Sequence, residues 1–248
     1  MSNHALFHAA EAIRAAKHVI AFTGAGISVE SGIAPFRGPG GLWSKYDPNL
    51  FDRNRFRRDP GKSWELLRTL FYDGAARARP NAAHLALAAL EAKGRLRTVI
   101  TQNIDGLHSR AGSANVLEYH GSTGTLSCVD CHMRVNAASV DLSELPPRCA
   151  SCGGVLKPDI VFFSEPIPED VHRASMAEAK ACDACIVVGT SGEVMPAGRI
   201  PRMAARHGAV IVEINVRESS YTYETSTYFL EGKAGKILPE LANKVFDK

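Results

Sequence analysis

Four cysteines in two Cys-x-x-Cys pairs carry the strongest chemical signal in the sequence. Cys128 and Cys131 are separated by seventeen residues from Cys149 and Cys152. This spacing is typical of a four-thiolate zinc ribbon, because each turn directs two sulfurs at one centre. Four thiolates complete a tetrahedral shell, so we predict one structural Zn²⁺ with no open position for catalysis. Two redox pairs or inert thiols are the alternative, which the regular spacing disfavours.

A third Cys-x-x-Cys pair has a different context. Cys182 and Cys185 have no partner pair and stand at the start of an apolar run. Unpaired cysteines in apolar sequence are usually small buried hydrophobes. We therefore expect these two thiols to be packing residues, and redox chemistry is the less favoured alternative.

A short glycine motif indicates a possible phosphate site. Gly24, Ala25 and Gly26 follow an apolar run and precede a short helical stretch. Backbone amides at such a junction can bind a pyrophosphate, although a plain tight turn gives the same pattern. The dehydrogenase fingerprint needs a third glycine, where this chain has Val29, and an acidic residue about twenty positions later, which is missing. These two departures argue against ordinary hydride transfer.

Apolar runs alternate with helical patterns along most of the chain. The runs are short and rich in β-branched residues, which is typical of strands buried on both faces of a parallel sheet. We therefore predict an α/β fold with a doubly wound, Rossmann-like parallel sheet. Strands are predicted at 18–23, 98–101, 184–189 and 209–215, and helices at 5–17, 81–93, 169–181, 196–207 and 235–246.

Two stretches interrupt this alternation. Residues 32–62 are rich in glycine and proline, and a loop of this length inside a compact domain is usually functional. Residues 121–157 contain the four paired cysteines in polar sequence without a helical pattern. We expect the second stretch to be a small inserted zinc-ribbon module beside a helical segment.

Composition excludes several classes of protein. The chain has 248 residues, of which 45% are hydrophobic and 22% charged, as in ordinary globular proteins. Its net charge of +3 is too small to indicate nucleic-acid binding. No apolar run approaches a membrane span, and Glu11, Arg14 and Lys17 make the N-terminus an amphipathic helix, not a secretory signal. We therefore predict a cytoplasmic protein without disulfides.

Several longer motifs occur together and in a fixed order. The glycine motif continues to Gly38, the next two motifs end at His108 and Gly121, and the paired cysteines follow. In this order the chain resembles the sirtuin family, the NAD-dependent protein lysine deacylases, from about residue 10 to about residue 245. The motifs are Gly-Ala-Gly-Ile-Ser-Val-Glu-Ser-Gly-Ile (24–33), Pro-Phe-Arg-Gly (35–38), Thr-Gln-Asn-Ile-Asp-Gly-Leu-His (101–108), Glu-Tyr-His-Gly (118–121), Pro-Asp-Ile-Val-Phe-Phe-Ser-Glu (158–165), Gly-Thr-Ser (189–191) and Ile-Asn (214–215).

The resemblance implies a reaction that consumes NAD as a co-substrate. In sirtuins the bond between nicotinamide and ribose breaks while the acyl-lysine oxygen attacks the ribose C1′, which gives an O-alkylimidate. A histidine then activates a ribose hydroxyl, and water releases lysine and acyl-ADP-ribose. Because no hydride moves, this chemistry fits the incomplete dehydrogenase fingerprint.

The resemblance also implies a role for each matched residue. His120 corresponds to the general base, and an imidazole titrates near neutral pH as such a base should. Asn103 and Asp105 correspond to the nicotinamide pocket, with Asn103 also catalytic, although Asn and Asp are common helix caps. Phe36 would shield the C1′ from water, and Arg37 would neutralise phosphate charge. The full cofactor set is Gly24, Ala25, Gly26, Phe36, Arg37, Gln102, Asn103, Ile104, Asp105, His120, Gly189, Thr190, Ser191, Asn215 and Ala234.

The substrate implied by the resemblance is an acylated-lysine protein or peptide bound as an extended strand. Val161, Phe162 and Phe163 would form the strand edge, where main-chain hydrogen bonds supply affinity. Buried core-strand residues are the alternative for these three positions. The family commonly has glycine where this chain has Ser164, and the segment Ile33-Ala34-Pro35 also departs mildly from the usual run.

The expected acyl preference follows from two positions. Sirtuins that prefer succinyl or malonyl lysine carry a tyrosine and an arginine in the helix after the cofactor loop, and Leu67 and Leu70 match those positions here. An apolar lining would leave an acyl carboxylate without a partner, which is costly. We therefore expect acetyl and other neutral acyl groups to be preferred over succinyl.

The resemblance implies a division of the chain into domains, and it leaves three alternative functions open. Residues 1–31, 80–120 and 158–248 would form the NAD-binding domain, 32–79 the cofactor loop and helical part of the small domain, and 121–157 the zinc ribbon. The alternatives are an ADP-ribosyltransferase of the same family, an NAD-dependent oxidoreductase and an inactive binding module. We expect a monomer that binds neither nucleic acid nor membrane.

Overall fold

A six-stranded parallel sheet forms the centre of the larger domain. The computed structural model describes residues 3–38, 40–74 and 77–247. The other six residues, which fall in the predicted ranges 1–31, 32–79 and 158–248, lie outside the described part. The strand order is β3-β2-β1-β7-β8-β9, which is the doubly wound order. The strands are β1 (Val19–Thr23), β2 (Thr98–Thr101), β3 (Val116–Glu118), β7 (Ala184–Val188), β8 (Val210–Asn215) and β9 (Tyr228–Glu231).

Helices cover both faces of this sheet. The first face packs against α1 (Asn3–Ala15), α4 (Ala82–Ala92) and α8 (Ala234–Phe246), with Leu6, Leu87 and Leu241 almost fully buried. The second face packs against α6 (Glu169–Ala181) and α7 (Arg199–Arg206). Burial on two faces explains why β1, β2 and β7 read as continuous apolar runs without alternation.

The smaller domain contains a three-stranded antiparallel sheet. Its order is β5-β4-β6, with β4 (Gly121–Cys128), β5 (Arg134–Asn136) and β6 (Leu156–Ile160). Helices α2 (Arg53–Arg58) and α3 (Pro60–Leu67) pack on it, followed by a wide helical turn at Arg68–Gly74. Trp64 is fully buried in this core, and its indole Nε1 donates to the Leu156 carbonyl at 2.7 Å. In the larger sheet, a short helix, α5 (Leu107–Arg110), connects β2 to β3 along the chain.

The glycine- and proline-rich stretch 32–62 is more ordered than the sequence suggests. It contains short 3₁₀ helices at Leu42–Ser44 and Pro48–Phe51, all of α2 and the start of α3. Asp52 caps α2 by accepting from the amides of Asn54 and Arg55, and Asp59 caps α3 with Pro60 in the first turn. The expectation of one long loop was therefore wrong for residues 48–62.

The third cysteine pair is buried as expected. Cys182 is 4% exposed and Cys185 fully buried, at the start of β7. Burial raises the pKa of the Cys182 thiol to about 12 and that of Cys185 well above its usual range. Both thiols therefore stay protonated and act as small hydrophobic side chains.

Two observations bear on the outline of the molecule. Strand β6 crosses the predicted domain boundary between residues 157 and 158, because it pairs with β4 from Leu156 to Ile160. Among residues 3–38, 40–74 and 77–247, none of the helices has the length and apolar character that a membrane span requires.

Candidate active site

A large cleft opens where the two halves of the parallel sheet diverge. Its volume is about 1220 Å³, and it lies at the carboxyl ends of β1 and β7, the neighbouring strands from which the chain winds in opposite directions. Ligands of doubly wound folds bind at this switch point. The cleft is lined by nearly all of the predicted cofactor and substrate residues: Gly24, Ala25, Gly26, Phe36, Arg37, Gln102, Asn103, Ile104, His120, Val161, Phe162, Phe163, Gly189, Thr190, Ser191, Asn215 and Ala234.

Glycines let the loops after β1 and β7 touch at the cleft floor. A Cβ at Gly26 would lie 2.6 Å from Gly189 Cα, and a Cβ at Gly189 would lie 2.4 Å from the Ile27 amide. The amides of Gly24 and Gly26 donate to the Val188 and Gly189 carbonyls, at 3.0 and 2.8 Å.

These contacts change the expected phosphate site. Two of the three amides in the glycine motif are already bonded within the protein, so they cannot also bind a pyrophosphate. Within the described residues only the Ala25 amide of this motif is without a partner. The glycines are therefore required for loop packing, and Ala25 has the amide that is free to bind a ligand.

Polar side chains join the strand ends on the far side of the cleft. Gln102 Nε2 donates to Thr190 Oγ1 at 2.9 Å, and Asn215 Nδ2 donates to the Thr190 carbonyl at 3.0 Å. Ser191 donates to Glu193 at 3.2 Å. These bonds tie β2, β7 and β8 together through Thr190, so the polar wall of the cleft is fixed before any ligand binds.

His120 stands at the centre of the cleft with a defined tautomer. Its Nδ1 lies 3.0 Å from the Gln102 carbonyl, which can only accept, so Nδ1 carries the proton. Within the described residues Nε2 has no hydrogen-bond partner. Burial lowers the pKa of His120 below its ordinary value of 6.5, an effect that the Gln102 bond partly opposes. The imidazole is therefore neutral at pH 7, and Nε2 is free to accept a proton.

Asn103 lies at the inner end of the cleft, and Asp105 is linked to it through the Ser28 hydroxyl. Asn103 is 5% exposed, and its Nδ2 donates to the Gly24 carbonyl and to Ser28 Oγ at 3.2 and 3.1 Å. Asp105 accepts from Ser28 Oγ at 2.7 Å and from the Leu107 amide at 2.9 Å. Asp105 does not line the cleft. The contacts of Asp105 match the helix-cap alternative, and the part of Asp105 in nicotinamide binding stays a prediction.

Two buried histidines, which the sequence gave no reason to single out, support this inner end. His84 Nδ1 accepts from the Asn81 amide, so its Nε2 carries the proton and faces Ser28 Oγ at 3.5 Å. His108 Nε2 donates to Thr23 Oγ1 at 2.9 Å, because the Thr23 hydroxyl itself donates to Thr101. The two rings lie 4.9 Å apart. Only the tertiary fold brings them together, and no local sequence signal identifies the pair.

The buried pair predicts a loss of stability in mild acid. Burial lowers the pKa of His84 to about 4 and that of His108 to about 3, whereas both titrate near 6.5 when exposed. Below pH 6.5 the unfolded chain binds protons that the folded chain does not, so stability falls between pH 6.5 and the folded values. At pH 5 each histidine should cost about 2 kcal/mol.

A substitution isolates this effect. Urea unfolding at pH 7 and pH 5 should show that His108→Gln loses about 2 kcal/mol less than the wild type over this interval. Comparing the two proteins cancels other acid-sensitive groups, the zinc thiolates included. Parallel pH curves for the two proteins would show that His108 does not cause the loss.

The cofactor loop forms the outer wall of the cleft. Phe36 packs its ring on Trp43 at a centroid distance of 5.3 Å. Arg37 is half-exposed and lines the cleft, so a ligand can reach its guanidinium group, which is 3.9 Å from the exposed Glu193 carboxylate. Ala234 begins α8 on the opposite side and is 7% exposed.

The backbone of residues 161–164 has few free hydrogen-bonding groups. Val161 donates to the His120 carbonyl, and Phe162 exchanges hydrogen bonds with Glu165 through both its amide and its carbonyl. Phe163 donates to the Phe51 carbonyl and accepts from the Arg53 amide. Within the described residues the groups left for an added strand are the Val161 carbonyl and the amide and carbonyl of Ser164.

The side chains of this segment differ in accessibility. Phe162 is 2% exposed, and its ring packs on Phe56 at 5.4 Å, so this side chain matches the core alternative. Phe163 is 45% exposed and stands beside Trp43 at the cleft mouth. The segment is anchored from below, because the half-buried Lys157 Nζ pairs with Glu165 at 2.9 Å.

Ser164 adopts the left-handed conformation that favours glycine. Its φ is +66°, which explains why the family commonly has glycine here. The Ser164 hydroxyl donates to Asp52 Oδ2 at 2.7 Å, and this hydrogen bond lowers the Asp52 pKa. The serine thereby links the substrate segment to the start of α2.

The apolar end of the cleft is formed by other residues than expected. Leu67 is 2% exposed in the small-domain core, and neither Leu67 nor Leu70 lines the cleft. Phe71, in the wide turn after α3, takes that place, together with Phe51 and Ile104. The predicted apolar lining is present, but the predicted positions were wrong. Leu67 packs into the small-domain core, and the widening of the helix at residue 68 places Phe71 instead of Leu70 at the cleft.

The four paired cysteines converge away from the cleft, in the small domain. All four sulfurs lie within 4.8 Å of one another, with Cys128–Cys152 at 3.5 Å and Cys131–Cys149 at 3.7 Å. These separations exceed a disulfide bond of about 2.05 Å. Sulfurs about 2.3 Å from a tetrahedral zinc lie about 3.8 Å apart, so the four residues fit Zn²⁺.

Comparisons with known proteins agree with this geometry. Residues 24–196 match the model of the Sir2 family. NAD-dependent protein deacylase 2 of Pyrobaculum aerophilum is 46% identical over 95% of this chain and 94% of its own length. A Sir2 homologue variant bound to ADP-ribose superposes with a TM-score of 0.92 at 39% identity, over 99% of this chain and 96% of that chain. A Sir2 complex with a p53 peptide and NAD⁺ gives 0.87 at 33% identity, over 94% and 95%. With most of its length matched by the family model, and with this similarity in sequence and fold, the chain belongs to the Sir2 family.

Proposed function

We propose that this protein is an NAD-dependent protein lysine deacylase that transfers the acyl group from lysine to ADP-ribose. The observation that carries the proposal is the free Nε2 of His120, in one cleft with the strand-end loops and the substrate segment. NAD supplies a ribosyl carbon that becomes electrophilic as nicotinamide leaves. The solved Sir2 complexes with NAD⁺ and peptide support this use of the cleft.

The protein contributes binding, orientation and proton transfer. The Ala25 amide and Arg37 bind phosphate charge, and Asn103 positions the nicotinamide end. Phe36 excludes water from the reacting carbon. His120 Nε2 accepts the proton of a ribose hydroxyl, while the Gln102 carbonyl keeps the ring in the tautomer that leaves this nitrogen bare.

The acid limb of activity follows from the His120 environment. The base must be neutral to act, and burial lowers its pKa below 6.5. We therefore expect kcat/KM to decrease in acid with a midpoint below pH 6.5. Measuring initial rates at limiting peptide between pH 8 and pH 5 tests the direction of this shift. A limb centred above pH 6.5 would contradict the assignment.

One reaction separates the proposed function from the alternatives. Purified protein incubated with NAD and an acetyl-lysine peptide should release nicotinamide and free lysine peptide in equal amounts. An oxidoreductase would instead produce absorbance at 340 nm, and an inactive binding module would give no turnover. An ADP-ribosyltransferase would leave the acetyl group on the peptide and add mass to a protein.

Acyl preference provides a further prediction. The apolar end of the cleft is formed by Phe51, Phe71 and Ile104, whereas the cations that line the cleft, Arg37, Arg199, Arg217 and Lys233, belong to other elements. A succinyl carboxylate would be buried there without a partner. We expect kcat/KM for acetyl-lysine to exceed that for succinyl-lysine by at least about 100-fold. Comparable rates on matched peptides would contradict the apolar lining.

The remaining assignments complete the proposal. The substrate is an acylated-lysine protein that adds as an extended strand at the Val161 and Ser164 backbone groups. The NAD-binding domain comprises residues 1–31, 80–120 and 158–248, and the small domain comprises 32–79 with the zinc ribbon 121–157. The protein acts as a cytoplasmic monomer without binding nucleic acid, and its six free cysteines support a reducing compartment. Light scattering of the purified protein tests the monomer.

A further inference from the structure

Four arginines give helix α2 an unusually high positive charge. Residues 52–62 contain five basic and two acidic side chains, whereas the whole chain has a net charge of only +3. Arg55, Arg57 and Arg58 are exposed, and Arg53 is half-exposed. We call Arg53, Arg55, Arg57 and Arg58 the α2 basic patch.

The positive charge of this patch is only weakly balanced within the protein, because Arg58 attracts the nearby Asp52 carboxylate without forming a salt bridge with it. Among the described residues, none of the four arginines forms a salt bridge with a carboxylate. The two nearby carboxylates have other partners. Asp52 accepts from two amides of α2 and from Ser164, and Asp59 accepts from the Lys62 amide and pairs with its ammonium group.

A groove lies between two arginines of the patch and Asp52, the residue to which the substrate segment is hydrogen-bonded. It has a volume of about 400 Å³ and is lined by Asn49, Asp52, Arg55, Arg58, Asp59 and Lys62. The Arg53 amide donates to the Phe163 carbonyl at 3.1 Å, and the Ser164 hydroxyl donates to Asp52 at 2.7 Å. A chain that pairs with the Ser164 backbone therefore passes directly beside the groove.

We propose that the α2 basic patch binds acidic side chains that flank the acyl-lysine of the substrate protein. The inference rests on the proposed function, because it assumes that the substrate pairs with the 161–164 segment. A single carboxylate can reach Arg55 or Arg58 from that segment and gain an ion pair. A nucleic-acid backbone fits less well, since the Asp52 and Asp59 carboxylates line the same groove.

The geometry makes this preference one-sided. Helix α2 and its cap Asp52 meet the substrate segment at Phe162, Phe163 and Ser164, through the Phe56–Phe162 ring contact, the Asp52–Phe163 bridge and the Ser164 hydrogen bond to Asp52. Acidic residues should therefore improve a peptide when they lie on one side of the acyl-lysine and have little effect on the other side. Successive side chains of a strand point to opposite faces, so the effect should also alternate along the peptide.

The test uses acetyl-lysine peptides in which each flanking position is glutamate or glutamine. The ratio of kcat/KM for the glutamate peptide over the glutamine peptide should be about threefold to tenfold at the best position, because exposed ion pairs are individually weak. This ratio should approach one in the Arg55→Gln/Arg58→Gln variant and at high ionic strength. Arg206 is exposed and lines neither the cleft nor the groove, so the Arg206→Gln variant should keep the wild-type ratio.

Charge reversal keeps the test independent of folding effects. The Arg55→Glu/Arg58→Glu variant should prefer peptides with lysine over those with glutamate at the same position. Wild-type ratios near one at every position would overturn the inference. Inhibition by a DNA duplex that is lost in the Arg55→Gln/Arg58→Gln variant, together with a glutamate ratio of one, would also overturn it, because the patch would then bind nucleic acid. Absence of turnover on the glutamine peptides would instead contradict the proposed function.

Discussion

Replacing His120 by alanine should lower kcat about 10²–10⁴-fold, which is the usual contribution of a positioned general base. The substitution removes Nε2, which is held as a bare acceptor because Nδ1 donates to the Gln102 carbonyl. NAD binding and the thermal midpoint should change little, because His120 is only half-buried and makes one side-chain hydrogen bond. Steady-state kinetics and NAD titration of the purified variant measure both quantities.

A second histidine variant serves as the control. His207 is exposed at the end of α7, where its Nδ1 lies 3.0 Å from the Met203 carbonyl, so it makes a similar backbone bond away from the cleft. His207→Ala should retain wild-type kcat. Full activity in His120→Ala would remove this residue from the mechanism, and equal losses in both variants would indicate a general effect on stability.

Removing the predicted zinc should lower stability and activity together. The cysteine cluster joins the turn after β4 to the turn before β6, and β6 leads directly into the substrate segment. Loss of a structural zinc costs several kcal/mol, and each kcal/mol lowers Tm by about 2–4 °C in a domain of this size. We expect Cys149→Ala, or chelation, to lower Tm by roughly 10 °C and kcat/KM for the peptide by at least about tenfold.

The third cysteine pair provides the matched control for this experiment. Cys182→Ala removes an equally buried thiol outside the cluster, so it should bind one zinc per chain and lose only a little stability. Metal analysis of the purified variants verifies the zinc content. Metal-free protein that keeps its structure and its turnover would contradict the structural role of the metal.

Strong local patterns predicted the central part of the fold. Strands β1, β2, β7 and β8 are largely apolar and mostly buried because helices cover both faces of the sheet, and this apolar content is visible in the sequence. The edge strands β3 and β9 were missed. They have three and four residues, and most of these are only half-buried, so neither periodicity nor apolar content marks them.

The candidate site was predictable where a motif specifies a backbone position and less so where tertiary contacts decide. His120 and Gln102 line the cleft, and the four paired cysteines form one cluster, although the roles of His120 and Gln102 stay predictions. The hydrogen bonds donated by the Gly24 and Gly26 amides depend on a loop more than 160 residues away in sequence. The position of Phe71 depends on a local widening of the helix. Asp52 and Asp59, each followed by a helix that it caps, are signals that could have identified α2 and α3.

The most direct test of the central claim is the fate of the acyl group in a reaction with NAD and an acetyl-lysine peptide. Mass spectrometry of the products should show acetyl-ADP-ribose in an amount equal to the nicotinamide released and to the free lysine peptide. Free acetate formed while NAD remains intact, or nicotinamide release without any acetyl-ADP-ribose, would contradict the account.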